Sequence, residues 1–139
     1  MIFRMGLAPE GQSFDELISA SIHQFSLEKI NEIRENKNRN TFLYNGIYSH
    51  YLESWVNTFG LERIKVIISE ELFATPQRVL DEVHAFLGVE PFQYKNLPVY
   101  NKGGYNQEIS EETIETMRNF YRPFNQQLSE MLGRPIPWD

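Results

Sequence analysis

The sequence contains no cysteine, which excludes a disulfide framework and any zinc site built on thiolates. Its three histidines, His23, His50 and His84, are scattered without a metal-binding spacing, so no metal is expected. Basic charge is the scarcer sign: 13 Lys and Arg against 19 Asp and Glu give a formal net charge of −6. That balance argues against nucleic acid as a partner, although an acidic protein can still hold one anion in a local cluster of donors. No apolar run approaches the ~20 residues of a membrane-spanning helix. The opening Met1-Ile2-Phe3-Arg4-Met5-Gly6 has neither the apolar core nor the small-residue cleavage site of a secretory signal. A soluble, cytoplasmic protein is the expectation. Before Gly103-Gly104 the glycines are isolated, and none follows a strand pattern and opens a helix, as a phosphate-cradling loop would.

What is present suits one small ordered domain: 139 residues, 41% hydrophobic and 14% aromatic, enough for a modest core. Ser13 with Glu16 three residues later reads as a capping box, opening a helix whose apolar stripe is Phe14, Leu17, Ile18 and Ile22. Residues 26–33 repeat the helical spacing and give way to the polar loop Glu35–Asn40. From Thr41 to Phe59 the residues Leu43, Ile47, Tyr48, Tyr51, Leu52, Trp55, Val56 and Phe59 recur at intervals of three and four. That spacing predicts a well-buried helix ended by Gly60, and it makes the aromatic set Tyr44, Tyr48, Tyr51, Trp55 and Phe59 core rather than a sugar-stacking surface.

The β-branched run 63–69, too apolar over Val66–Ile68 to alternate, predicts a central parallel strand covered on both faces. Thr75 as cap and Pro76 at the first helical position start another helix, with Val79, Leu80, Val83, Phe86 and Leu87 inward and Gly88 at its end. Residues 89–106 show no period and hold Pro91, Pro98 and Gly103-Gly104, which predicts a loop. A last helix is capped by Ser110 and kinked or divided at Pro123, with Ile114, Met117, Phe120, Tyr121 and Leu128 on its apolar face and Trp138 docking after it.

Several of these elements, in order, resemble one family. Tyr48-x3-Leu-x2-Trp-x3-Phe59, the strand running into Ser69-Glu70-Glu71-Leu72, Pro76 with Val79-Leu80, Phe86-Leu87-Gly88-Val89, Lys102-Gly103, Tyr121-x-Pro-x-Asn125-x2-Leu128 and Trp138 are similar to the second half of sulfotransferases. These enzymes take their sulfuryl group from 3′-phosphoadenosine 5′-phosphosulfate (PAPS), and the ending is closest to glycan-modifying and bacterial members. The resemblance implies an α/β, P-loop-like fold, here mostly helical with one central strand at about 63–69. It makes residues 1–139 the C-terminal part of a single domain. The phosphosulfate loop, and the Arg and Ser that hold the 3′-phosphate, belong to a part of the family pattern that this sequence does not contain.

The same resemblance implies that Lys102, Gly103 and Gly104 meet the 3′-phosphate of PAPS and that Ser69 lies near its adenine. The residue types agree: lysine supplies a point charge and glycines let backbone N–H groups approach an anion. Many members carry an Arg beside the Lys-Gly pair, whereas Asn101 and Gly104 flank it here. An ordinary exposed turn is the alternative reading of this loop. Glu70 and Glu71 fall at the strand's C-terminal edge, where open α/β sheets bind ligands. Glu70 reads either as a buried hydrogen-bond organiser or as half of a solvated carboxylate pair. Tyr100 and Tyr105 flank the glycine loop and either touch a ligand or pin the loop. His50 and His84 read as core or surface residues of helices, and Asn125 as a partner for backbone groups freed by Pro123.

The expected function is transfer of a sulfuryl group from PAPS to a hydroxyl or amine of an acceptor, a glycan or a small molecule. No residue here takes the part of catalytic base, and these residues alone are expected to be inactive. A helical binding or scaffold module that keeps the family's helices without its chemistry is the alternative. A strand without partners leaves its edges open, so the chain is expected to be marginally stable or to self-associate.

Overall fold

A computed structural model describes residues 13–26, 41–95, 97 and 109–138, with 41 and 42 defined in backbone only. Its contacts divide into two compact units, Met1–Tyr51 with Gly104–Asp139, and Leu52–Gly103. The described elements are α1 (Phe14–His23), α2 (Thr41–Asn45), α3 (Tyr48–Phe59), a 3-10 turn (Leu61–Arg63), α4 (Ser69–Ala74), α5 (Pro76–Leu87) and α6 (Glu111–Leu132).

In the first unit α1 starts as its sequence predicts. The Ser13 hydroxyl accepts from Glu16 N–H at 3.2 Å, and Glu16 Oε2 accepts from Ser13 N–H at 2.9 Å, so two N–H groups left over at the helix start are satisfied reciprocally. Leu17, Ile18 and Ser21 are buried, and α1 packs on α6. The cap of α6 is Ser110, whose hydroxyl accepts from Thr113 N–H at 3.1 Å. Asp15 of α1 lies at this cap; the Thr113 hydroxyl, then the Ser110 backbone and hydroxyl, hold its carboxyl below the usual range against the opposing effect of desolvation. One of its oxygens, Oδ1, is nevertheless enclosed without a hydrogen bond. Pro123 does not divide α6, which runs unbroken to a left-handed Gly133 at φ +64°.

The single helix expected over 41–59 is instead two, α2 and α3, separated at Gly46-Ile47. The cause is Tyr121 of α6. Its hydroxyl donates to the Leu43 carbonyl at 3.0 Å, and its ring lies so close to Gly46 that an added Cβ would stand 2.7 Å from the phenolic oxygen. The turn closes with Gly46 N–H on Leu43 O and Ile47 N–H on Tyr44 O, at 3.1 and 3.0 Å, the tighter i to i+3 pattern. Around it sits the core: Tyr44 and Ile47, enclosed by Phe25, Phe120, Tyr121 and Phe124. Phe25 meets Phe120 edge-on, with centroids 4.8 Å apart at 89°, the quadrupole-favoured arrangement. Tyr44 spends its hydroxyl as acceptor for Ser26 N–H at 3.3 Å.

Trp138 docks as expected, its ring 5.4 Å from that of Tyr48. Asn125 is the anchor, donating to the Trp138 carbonyl at 3.2 Å. It serves the returning tail rather than backbone groups freed by Pro123.

In the second unit the expected strand does not form. Ile64 and Ile68 are extended, with φ/ψ of −122/117° and −88/125°, but residues 64–68 form neither helix nor strand, Ser69 already begins α4, and no strand occurs among the described residues. Extended backbone becomes a strand only by sharing hydrogen bonds with a partner, and among the described residues Lys65, Val66 and Ile67 find none. What the described residues show is therefore mostly helical rather than α/β. Pro76 opens α5, and Gly88, left-handed at φ +67°, ends it. Thr75 is not a side-chain cap: its hydroxyl donates to the Glu71 carbonyl at 3.2 Å and accepts from Arg78 Nε at 3.1 Å. Residues 89–95 form neither helix nor strand, as expected. The expected burial is also lower than the spacing implied. Trp55 and Phe59 of α3 are 59% and 49% exposed, and Leu87 of α5 is 62% exposed.

Candidate functional site

Ser69 is the one sequence-predicted cofactor residue among the described residues; Lys102, Gly103 and Gly104, with Tyr100 and Tyr105, lie outside them. The buried Ile68 anchors the end of the extended segment, and its carbonyl accepts from Leu72 N–H at 3.0 Å. Ser69 is thereby the exposed first residue of α4, with its hydroxyl donating to Glu70 Oε2 at 3.0 Å. Glu70 is exposed, so it is not the buried organiser that one reading of the sequence expected. Both carboxylates stand in the first turn of α4, where they complement the positive end of the helix dipole.

The neighbouring cations are already committed. Lys65 Nζ reaches Glu82 Oε2 at 3.0 Å and Arg78 reaches Glu82 Oε1 at 2.6 Å. The Lys65 hydrogen bond is the main cause holding the Glu82 carboxyl below its ordinary value, with lesser charge contributions from Lys65 and Arg78 and desolvation acting the other way. Among the described residues no group of three His, Asp or Glu side chains is placed to hold a metal ion, and no helix is long and apolar enough to cross a membrane.

Two polar clusters stand apart from these residues. His84, expected in a core or surface role, is buried on α5 and bonded through both ring nitrogens to residues 92–94. Gln77, seven residues earlier on the same helix, bonds the Phe92 carbonyl and Tyr94 N–H, and the two-turn spacing places it on the same face as His84. That pairing was the only sequence signal available. The second cluster is Tyr121, Leu43 and Gly46 in the first unit. Burial, with a smaller effect from Tyr48, pushes the Tyr121 hydroxyl up to about 12, which keeps it a donor. His50 stays half-buried, its ring 5.5 Å from that of Tyr51.

Comparison with known proteins identifies the class. Mouse heparan sulfate glucosamine 3-O-sulfotransferase 3B1 is 29% identical over 117 residues, covering 68% of this chain and 30% of the relative. The membrane-associated sulfotransferase kil1 of Dictyostelium discoideum is 31% identical over 99 residues, covering 69% of this chain and 20% of the relative. Human heparan sulfate glucosamine 3-O-sulfotransferase 5 is 28% identical over 114 residues, covering 66% of this chain and 33% of the relative. No family model matches the chain, and no solved structure does. This chain belongs to the sulfotransferase family. It spans about 30% of the length of the heparan sulfate relatives it matches.

Proposed function

We propose that these residues form the C-terminal part of a PAPS-dependent sulfotransferase domain that modifies a hydroxyl or amine, with a glycan as the acceptor class. The observation that carries this reading is the similarity over about two thirds of the chain to enzymes named for glucosamine sulfation. In this reading Lys102 places a positive charge on the 3′-phosphate, and Gly103 and Gly104 present backbone N–H groups to it. Ser69 offers its hydroxyl to the adenine edge. PAPS, when bound, supplies a sulfuryl group whose bond to phosphate oxygen breaks as one to the acceptor oxygen or nitrogen forms. The acceptor's proton needs a base, and this chain assigns no residue to that task. Its share of the work is to hold the nucleotide end of the donor.

Calorimetric titration with adenosine 3′,5′-bisphosphate tests the assignment. The chain should bind weakly, with a Kd of about 1 mM or higher, and Lys102→Ala should abolish the binding. Tight binding that Lys102→Ala leaves unchanged would remove Lys102 from the site.

A further inference from the structure

The segment that follows α5 is tied back to it by two side chains, and the tie has a definite protonation requirement. The Gln77 amide donates from Nε2 to the Phe92 carbonyl at 2.9 Å and accepts Tyr94 N–H on Oε1 at 3.0 Å. It thus takes the C=O of one residue and the N–H of the second residue on, as a neighbouring strand would in a parallel ladder. A further bond from Nε2 to Asp81 Oδ1 at 2.7 Å fixes which end of the amide is nitrogen. The Phe92 N–H donates to His84 Nδ1 at 3.2 Å. A backbone N–H can only donate, so Nδ1 must carry a lone pair. The neutral ring then holds its proton on Nε2, which donates to the Tyr94 hydroxyl at 3.1 Å. The ring also stacks on Tyr94, with centroids 5.8 Å apart at 24°.

We propose that α5 carries a protonation-sensitive clip: neutral His84, together with Gln77, holds residues 92–94, and its imidazolium form gives up the Phe92 N–H, leaving Phe92 held through its carbonyl by Gln77. A proton taken from solvent at Nδ1 turns the acceptor into a donor facing Phe92 N–H, and that bond is lost. No salt bridge to the ring occurs among the described residues. On α5 the nearby carboxylates are Asp81, bonded to Gln77, and Glu82, paired with Lys65 and Arg78. On α4, which packs against α5, the carboxylates are Glu70 and Glu71. On the clipped segment the titratable partner is Tyr94. Among the described residues no cation or anion is bonded to His84 that would lock it in one state.

Amide hydrogen exchange on the full chain tests the clip. Between about pH 7.5 and about pH 5.5, protection of Phe92 N–H, corrected for intrinsic rates, should fall roughly tenfold, the effect of one hydrogen bond. In His84→Asn the side-chain carbonyl takes over the Nδ1 position without titrating, so the acid-dependent fall should vanish. An equal fall in both proteins, or none in the wild type, would overturn the proposal. A second readout needs no variant: nitrogen chemical shifts of His84 near neutral pH should show the proton on Nε2, and a ring protonated mainly on Nδ1 would contradict the clip.

Discussion

Tyr44, Ile47, Phe25, Phe120, Tyr121 and Phe124 close over one another in the first unit, while Trp55, Phe59, Phe73, Phe86, Leu87 and Phe92 of the second remain exposed. The second unit is tied together by polar contacts between side chains and backbone: Lys65 and Arg78 on Glu82, Gln77 on residues 92 and 94, and His84 on Phe92. The difference teaches that helical spacing is not burial. Both units carry amphipathic helices, but among the described residues the second buries few apolar side chains, Ile68 and Val79. The packed unit should respond chiefly to changes of volume, and the other to charge, salt and acid.

The sharpest test of the packed unit is Ile47→Ala, at a fully buried position. A loss of about 2–5 kcal/mol in denaturant unfolding is expected, combining lost transfer energy with a cavity; a loss within experimental error would deny the unit its core. Gly46→Ala should cost about 1–3 kcal/mol by overpacking against the Tyr121 ring, visible as a lower melting temperature. Tyr121→Phe keeps the ring and removes one donor, so about 1 kcal/mol is expected. Burial raises the Tyr121 pKa to about 12, so its stabilising contribution is complete below about pH 10 and fades between about pH 10 and 12 as the unfolded chain ionises first. Tyr121→Phe should therefore flatten the alkaline limb of the stability profile.

Glu82→Gln in the second unit should have the smallest effect, about 1 kcal/mol or less at low salt, and less still at high salt. Its folded pKa is depressed from 4.5, so its contribution is present above that value and disappears as pH falls through the folded value. A thermal scan against pH with and without the substitution would show it.

Caps and glycine ends were legible in the sequence because they are local: Ser13 with Glu16, Ser110, Pro76, Gly60 and Gly88 need only their neighbours. The break at Gly46 was not, because it is imposed by Tyr121, about 75 residues on, and local spacing carries no trace of that. The strand at 63–69 failed for the same kind of reason. Its β-branched residues do extend the backbone, but a ladder also needs a partner that no propensity supplies. The candidate site divides likewise. Ser69 was singled out through the resemblance and stands at a helix start. The Gln77 and His84 clip was missed because a glutamine and a histidine two turns apart have no distinctive pattern until the chain returns to meet them.

The most direct test of the functional account is sulfuryl transfer by the complete reading frame that carries these residues, assayed with PAPS over a panel of glycan and small-molecule acceptors. The account predicts transfer to at least one hydroxyl or amine acceptor, strongly reduced by Lys102→Ala at limiting PAPS. A folded protein that transfers nothing from PAPS to any acceptor in the panel would contradict it.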